Sequence, residues 1–321
     1  MSCVQEARDG RGSFSRGAGK LSITAIILTF DEEVHIERCL TRIAPLVERI
    51  IVVDSFSTDR TVAIARGLGA EVVQRAFKNQ AEQFQWAQSS CVIATEWVLR
   101  LDADEYLEPG LIDTLRHCLS ALPDDVTGLD LKLKVVFRNR WIRFGGYYST
   151  LLTRLWRSGA GYYEQRWMDE RVVLTRGRSI RVKGGDLVDH SLKDIDWWTD
   201  KHNRYATRQM VDFINREHSL FAIDHRVDRN AHAQARWKRF LRNRVFAGAP
   251  LYLRSLLYFF YRYILRFGFL DGREGFLFHV LHGLWYFLLI DAKVDEARGY
   301  ISEHGVDAFR DHLRRRHRIA L

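Results

Sequence analysis

The first hundred residues alternate between two patterns of apolar residues. Ile23 to Leu28 is an apolar run rich in β-branched residues, as expected of a strand buried on both faces. From Asp31 to Ala44 the apolar residues Val34, Ile36, Leu40 and Ile43 recur at helical spacing. Ile50 to Val53 is a second buried strand, Thr61 to Leu68 a second helix with Thr58 or Asp59 as its cap, and Gly69 its stop. Ala70 to Val73, a helix over Gln80 to Ala94, and Trp97 to Leu101 continue the series. Strands alternating with helices predict a parallel sheet with right-handed crossovers, whose ligands sit beyond the carboxyl ends of the strands.

The pattern changes after residue 105. Leu111 to Ala121 reads as a helix, and Leu129 to Phe137, Leu151 to Trp156 and Val172 to Leu174 as strands of a mixed edge. Gly145-Gly146 and Gly159 to Gly161 between them suit loops over a site. Residues 196–321 read as mostly helical. The division expected is a polar tail over 1–20, an α/β domain over 21–195 with a first half to residue 105, and a helical, basic and aromatic region over 196–321.

Within that last region, Leu251 to Leu270 and Phe276 to Ile290 are strongly apolar, but arginines interrupt the first, and the second contains His279 and His282. Neither reaches the ~18–20 uninterrupted apolar residues of a spanning helix. They fit helices lying in a membrane interface, with arginines reaching outward and aromatics at headgroup depth, or a helical subdomain packed on protein. The net charge of +9 is concentrated here, around Arg236 to Arg244 and Arg310 to Arg318. Such a region suits nucleic acid, anionic lipid or a phosphorylated substrate. The four cysteines lack metal or redox spacing and read as free thiols. The polar first 20 residues lack the apolar run of a signal peptide, which points to a cytoplasmic protein.

Candidate chemistry gathers at the strand ends. Asp102-Ala103-Asp104-Glu105 follows the fourth strand, and a turn there can bring both aspartates to one ion. Carboxylates facing a nucleotide diphosphate make sense through a divalent cation, and Mg²⁺ or Mn²⁺ commonly takes one or two carboxylates plus substrate phosphates. Asp54 ends the second strand and can accept from a base N–H or a ribose hydroxyl, or serve as a turn residue. Thr29, Phe30 and Glu32 end the first, so three regions share one edge of the sheet. Asp169 and Glu170 form a second acidic cluster, suited to a general base beside Trp167 or to salt bridges with Arg166 and Arg171. His190 is a candidate metal ligand or diphosphate donor, or a structural histidine. Trp197-Trp198 and the donors of Lys201 to Tyr205 suit a sugar and a phosphate, or a helix core.

The segments AIILTFDEE (25–33), VVDSFSTDRT (52–61) and WVLRLDADE (97–105) resemble the family 2 glycosyltransferases of GT-A fold. RWMDE (166–170), DHSLKDIDWWTDKHNRYA (189–206) and FGFLDGREG (267–275) resemble a bacterial subgroup that builds surface polysaccharide and lipopolysaccharide core. The resemblance covers about residues 22–300. It implies that Thr29, Phe30 and Glu32 lie against the nucleoside, Asp54 contacts the base, usually uracil, Asp102 contacts ribose or sugar, Asp104 holds the metal, and Asp169 or Glu170 is the base. Leu28 stands where a Pro is usual, Asp31 where Asn is usual, and Ser55-Phe56 where Asp-Gly is more frequent.

The expected activity is therefore metal-dependent, inverting transfer of a sugar from a nucleotide sugar, UDP-linked by resemblance, to a saccharide acceptor. A lipid-linked acceptor at the inner face of the cytoplasmic membrane is expected, with peripheral membrane contact and no nucleic-acid partner. A sugar nucleotidyltransferase would share nucleotide, metal and sheet, but would carry a Gly-rich phosphate loop that Thr29 to Val34 lacks. A basic nucleic-acid-binding protein would leave the acidic cluster at Asp102 to Glu105 unexplained, and its binding would collapse with salt.

Overall fold

A computed structural model of the chain describes residues 19–164, 171–221 and 250–319. Cys3, the arginines between 236 and 244, and both members of the Asp169–Glu170 pair lie outside the described residues. The chain divides into two compact units. The first comprises the described residues of 19–143, 147–163 and 171–192; the second comprises those of 144–146, 164, 193–221 and 250–319.

The first unit is built on one sheet. Strands β1 (Leu21–Thr29), β2 (Val47–Asp54), β3 (Glu71–Gln74) and β4 (Trp97–Asp102) lie in the order β3-β2-β1-β4, all parallel. The sheet continues through β8 (Thr150–Arg157), β6 (Val126–Phe137), β12 (Leu187–His190) and β5 (Glu105–Leu107), a half in which parallel and antiparallel pairs are mixed. β7 (Arg140–Trp141) and β11 (Arg178–Arg181) also pair with β6, while β9 (Gly161–Tyr163) and β10 (Val172–Leu174) form a separate ribbon.

Both faces of β1 are covered from Ile23 to Ile27, which suits a run that is apolar apart from Thr24. Ile23, Ala25 and Ile27 join one core with Leu99, Leu101 and helix α1 (Ile36–Ile43), which buries Ile36, Cys39, Leu40 and Ile43. Ile26 points the other way, into a core with Ile51, Val53, Phe84 and Trp156, to which α3 (Gln80–Ser90) contributes Phe84. Each fully buried Ile or Leu of this set contributes about 1.5–3 kcal/mol. The remaining helices of the unit are α2 (Thr61–Gly67) and α4 (Pro109–Cys118).

One local expectation, the start of the first helix, changes, and one, a cap from Asp59, is met from the residue before the N-cap position. The first helix starts at Ile36 and not near Asp31, because Asp31 has φ +52° and the loop behind it is tied to residues 57–61. That left-handed conformation is one that Asn and Asp tolerate best. The start of α2 carries no side-chain cap on its Arg60 N-cap residue; Asp59 Oδ1 instead accepts from the Thr61 amide at 2.9 Å.

The second unit is helical. Helix α5 (Ile195–His218) begins with the Asp194 carboxylate accepting from the Trp197 amide at 2.9 Å and ends at Ser219 in the left-handed region. Its Ala206, Met210, Val211 and Ile214 pack with Tyr286, Ile290, Val294, Ala297 and Ile301. A short helix, α6 (Leu253–Phe260), continues as a π-helical turn over Tyr261–Leu265. Next come α7 (Gly272–Phe278), a π-helical stretch over His279–Trp285, α8 (Tyr286–His304) and α9 (Val306–His317). Gly268–His304 is one helical run of 37 residues whose best 18-residue window has a mean hydropathy of 1.4, enough to cross by length and composition. The histidines do not break it, because helix formation tolerates them and the π-helical stretch absorbs the change of phase.

Trp198 and Trp197 are both engaged within this unit. Trp198 stacks on His202 at 3.5 Å between ring centroids, and Lys193 and Lys201 lie over the Trp197 ring at 4.2 and 4.6 Å. Trp198 thus packs on its own helix, while Trp197 is half-buried beside two lysines. Burial pushes the His202 pKa down from 6.5 to about 4. The unfolded chain therefore binds more protons between those values, so stability falls as pH falls from about 6.5 towards 4, by on the order of 3 kcal/mol. Thermal unfolding followed from pH 7 to 4.5 should show this drop, and His202→Phe should flatten part of it. An identical pH profile in the variant would reject the assignment.

Candidate active site

The parallel half of the sheet sets the geometry. Along β1, Leu28 lies opposite Asp102 of β4 and Thr29 opposite Asp54 of β2. Three sequence-predicted positions thus stand on adjacent rungs at the carboxyl edge, the edge that binds ligands in open parallel sheets.

Asp54 is completely buried. Its Oδ1 accepts from Thr29 Oγ1 at 3.1 Å and from Ser57 Oγ; its Oδ2 accepts from the Ser57 amide and Gln74 Nε2, each at 2.9 Å. Four internal donors occupy both oxygens, so in this geometry the carboxylate organises the turn after β2. Two exposed aromatics flank it in sequence: Phe30, 57% exposed, after Thr29, and Phe56, 54% exposed, at φ +62° within the turn.

The loops after β1 and β2 are laced together. The Asp31 amide donates to Ser57 Oγ at 2.8 Å while Asp31 Oδ1 accepts from the Thr58 amide at 2.7 Å. The Glu32 amide donates to Thr61 Oγ1, and the Glu33 amide to Asp59 Oδ2. Glu32 Oε2 meets His35 Nδ1 at 2.5 Å, and His35 Nε2 accepts from the Leu192 amide at 2.7 Å. An accepting Nε2 puts the ring proton of a neutral His35 on Nδ1, facing Glu32. Reciprocal bonds of this kind hold a rigid lip over the strand ends.

Asp102 and Asp104 occupy the turn between β4 and β5 and are both half-buried, with Ala103 buried between them. Asp102 Oδ1 accepts from Arg100 Nη2 at 2.7 Å, and Oδ2 lies 3.6 Å from Arg154 Nη2. Arg154 also pairs with Glu105, whose Oε2 accepts from the Asp102 amide at 2.9 Å. Glu105 is buried; burial and then the Asp102 charge push its carboxyl well above the usual range, against the pull of Arg100. The turn is pinned from α1 by Arg38, which donates to the carbonyls of Asp104, at 3.1 Å, and His190.

His190 comes beside the turn because β12 pairs with β5: its amide donates to the Asp104 carbonyl at 3.1 Å. Its Nδ1 lies 3.3 Å from Arg38 Nη1 and its Nε2 3.0 Å from Asn139 Oδ1. Burial and the Arg38 charge lower its pKa, which keeps the ring neutral. Thr29, Phe30, Glu32, Asp54, Asp102, Asp104 and His190 all belong to this one unit.

Arg38, Arg100, Arg154 and His35 escaped the sequence reading, and Glu105 entered it only as part of the acidic cluster, without its buried role under Asp102. Arg100 had a signal: it stands inside an apolar strand two residues before Asp102, hence on the same side of it. Arg38 and Arg154 reach the turn only through tertiary packing. Among the described residues, no group of three or more His, Cys, Asp or Glu is arranged to hold a metal ion.

A parallel sheet with an acidic turn at its carboxyl edge defines an α/β protein of the class that binds its ligands beyond the strand ends. Comparison with known proteins narrows the class. The profile described as "Glycosyl transferase family 2" matches residues 24–168. The uncharacterized glycosyltransferase RT0209 of Rickettsia typhi is 35% identical over 208 residues, covering 60% of this chain and 68% of its own. The lipopolysaccharide core biosynthesis glycosyltransferase LpsC of Rhizobium meliloti is 27% identical over 197 residues, covering 59% and 70%. The chain therefore belongs to glycosyltransferase family 2, with the mostly parallel GT-A sheet and a helical carboxyl-terminal region. Against three further Rickettsia relatives the matched region spans only about two fifths of their length. Among solved structures, glucosyl-3-phosphoglycerate synthase from Mycobacterium tuberculosis, with Mn²⁺, UDP and glucosyl-3-phosphoglycerate, is 24% identical, covering 37% of this chain and 45% of that one. Its TM-score of 0.28 is too low to lay one site on the other.

Proposed function

We propose that the chain transfers a sugar from a nucleotide sugar, UDP-linked, to a saccharide acceptor with inversion at the anomeric carbon. The carrying observation is the register that sets Asp102 and Asp54 on adjacent rungs either side of β1, with the Asp102–Asp104 turn half-open at the sheet edge. The likeness to LpsC supports an acceptor in lipopolysaccharide core assembly; that the acceptor is lipid-linked and met at the inner face of the cytoplasmic membrane is part of the proposal.

In this reading Phe30, with Thr29 and Glu32, faces the nucleoside. Asp54 acts on the base end by holding the 55–57 turn that carries Phe56. Asp102, oriented by Arg100 and Arg154, faces the ribose or sugar. The donor set suits a divalent cation: two half-buried carboxylates, oxygen ligands only, are what Mg²⁺ or Mn²⁺ takes from protein when phosphates and water complete its shell. Asp104 would hold the ion, beside Asp102, and the ion would supply charge stabilisation for the departing diphosphate. His190 keeps a neutral ring at the turn, where it can donate to a phosphate if it leaves Asn139. Asp169 or Glu170 takes the acceptor hydroxyl's proton as the oxygen attacks the face opposite the diphosphate.

The test is a panel of nucleoside diphosphates and nucleotide sugars, with and without Mn²⁺, read by thermal protection and by nucleotide release. A rise in unfolding temperature for uridine nucleotides that needs the metal is expected. No protection by any nucleotide under either condition would overturn the reading.

A further inference from the structure

Helix α6 and the turn that follows it are amphipathic in the wrong sense for water. Their exposed positions recur in pairs every fourth residue: Leu256 and Leu257, Phe260 and Tyr261, Ile264 and Leu265. All six are large and apolar or aromatic, and spacing by four makes them one stripe along a helix. The stripe continues past the helix end through exposed Phe267, Phe269 and Leu270. The buried positions are the polar ones. Arg254 and Ser255, 3% and 0% exposed, turn inward, and both bond to Asp291, itself buried. The charge is inside and paired, and the apolar surface is outside. A contiguous exposed apolar patch of this kind marks an interaction surface.

The charge around the stripe favours one occupant. Between residues 252 and 273 the only acidic residue is Asp271, which is buried and accepts from the Phe144 amide at 2.8 Å. Arg266 and Arg273 are exposed. A second copy seated on this face across a two-fold axis would bring these like charges together. An anionic bilayer surface meets both features, because acyl chains take the stripe and headgroup phosphates take the guanidinium groups. At about 1.5 Å per residue the run from Leu253 to Leu265 is roughly 20 Å long, short of a ~30 Å hydrocarbon core, so it lies in the interface and does not cross. We infer that residues 253–270 are the element that docks the chain on anionic phospholipid, with the stripe sunk into the acyl boundary. This deepens the membrane-side acceptor reading and rests on that reading for its purpose, not for its physics.

The test is flotation of the full chain with vesicles of phosphatidylcholine alone or mixed with phosphatidylglycerol. Binding to the mixed vesicles is expected, weakening with salt. The double variant Phe260→Glu, Leu265→Glu should lower the partition coefficient by about a hundredfold or more, since each large apolar group withdrawn from water contributes on the order of tenfold. Arg266→Glu with Arg273→Glu should remove the preference for phosphatidylglycerol. Both side chains of the first pair point outward, so its unfolding temperature and its protection by uridine nucleotides should match the parent. That keeps failure of docking distinct from failure of the donor reading. No flotation with either vesicle, flotation unchanged in the Glu pair, or a concentration-dependent dimer that the Glu pair dissolves, would each overturn the inference.

Discussion

Replacing Asp104 with Asn should lower sugar transfer by roughly a thousandfold while the protein stays folded, the size of effect seen when a preorganised charge contact to a transition state is lost. An amide has the shape of the carboxylate but no charge to hold a cation against a diphosphate. The fold should survive because the turn is held through main-chain atoms: the Asp104 carbonyl takes the Arg38 guanidinium and the His190 amide, and neither bond involves the carboxylate. Single-turnover nucleotide release at saturating Mn²⁺, with circular dichroism as the control, measures the change. A variant within a few-fold of the parent would remove Asp104 from the metal.

The second large effect should be on stability. Arg154→Leu takes the guanidinium from beside both Glu105 and Asp102, leaving a buried carboxylate without its main partner. Breaking a buried pair from one side costs about 3–5 kcal/mol. Its sign with pH is specific. Glu105 already titrates well above 4.5, so the folded state favours its protonated form, and stability falls as pH rises from 4.5 through the folded value. Loss of Arg154 raises that folded value further. The Arg154→Leu deficit in chemical denaturation should therefore grow from pH 5 to pH 8, and Glu105→Gln in the same chain should recover most of it. A deficit independent of pH would mean that Arg154 acts through packing alone.

The two variants probe different parts of one turn, and only one part was legible in advance. Asp102 and Asp104 stood out by position: an Asp-x-Asp triplet alone is common, but this one ends the fourth strand of a parallel-sheet pattern, where ligands bind. The arginines that hold the turn gave no such signal. Arg38 is one of two arginines on the polar side of α1, and Arg154 sits in a strand some fifty residues away, so their convergence depends on sheet order. Asp54 shows the reverse case. Its position at the end of β2 was evident, but a carboxylate in a turn can face a ligand or serve the turn. Four donors from Thr29, Ser57 and Gln74, two of them far away in sequence, settle its present geometry.

The helical region divides in the same way. Apolar periodicity foretold helices after residue 196, but periodicity does not say which side faces inward. Where Arg254 and Ser255 turn in towards Asp291 and leucines turn out, the burial pattern is the opposite of the usual soluble helix.

By itself the sequence determined the order of strands and helices, the parallel half of the sheet and the acidic turn at its edge, because these follow from local periodicity and from which residues tolerate burial on both faces. The tertiary structure decided which charges meet: Arg154 with Glu105 and Asp102, Arg38 with the 102–105 turn, Arg254 with Asp291. Those pairings join residues from 37 to 66 positions apart, and such a contact is a matter of distance in space, which a one-dimensional pattern does not carry.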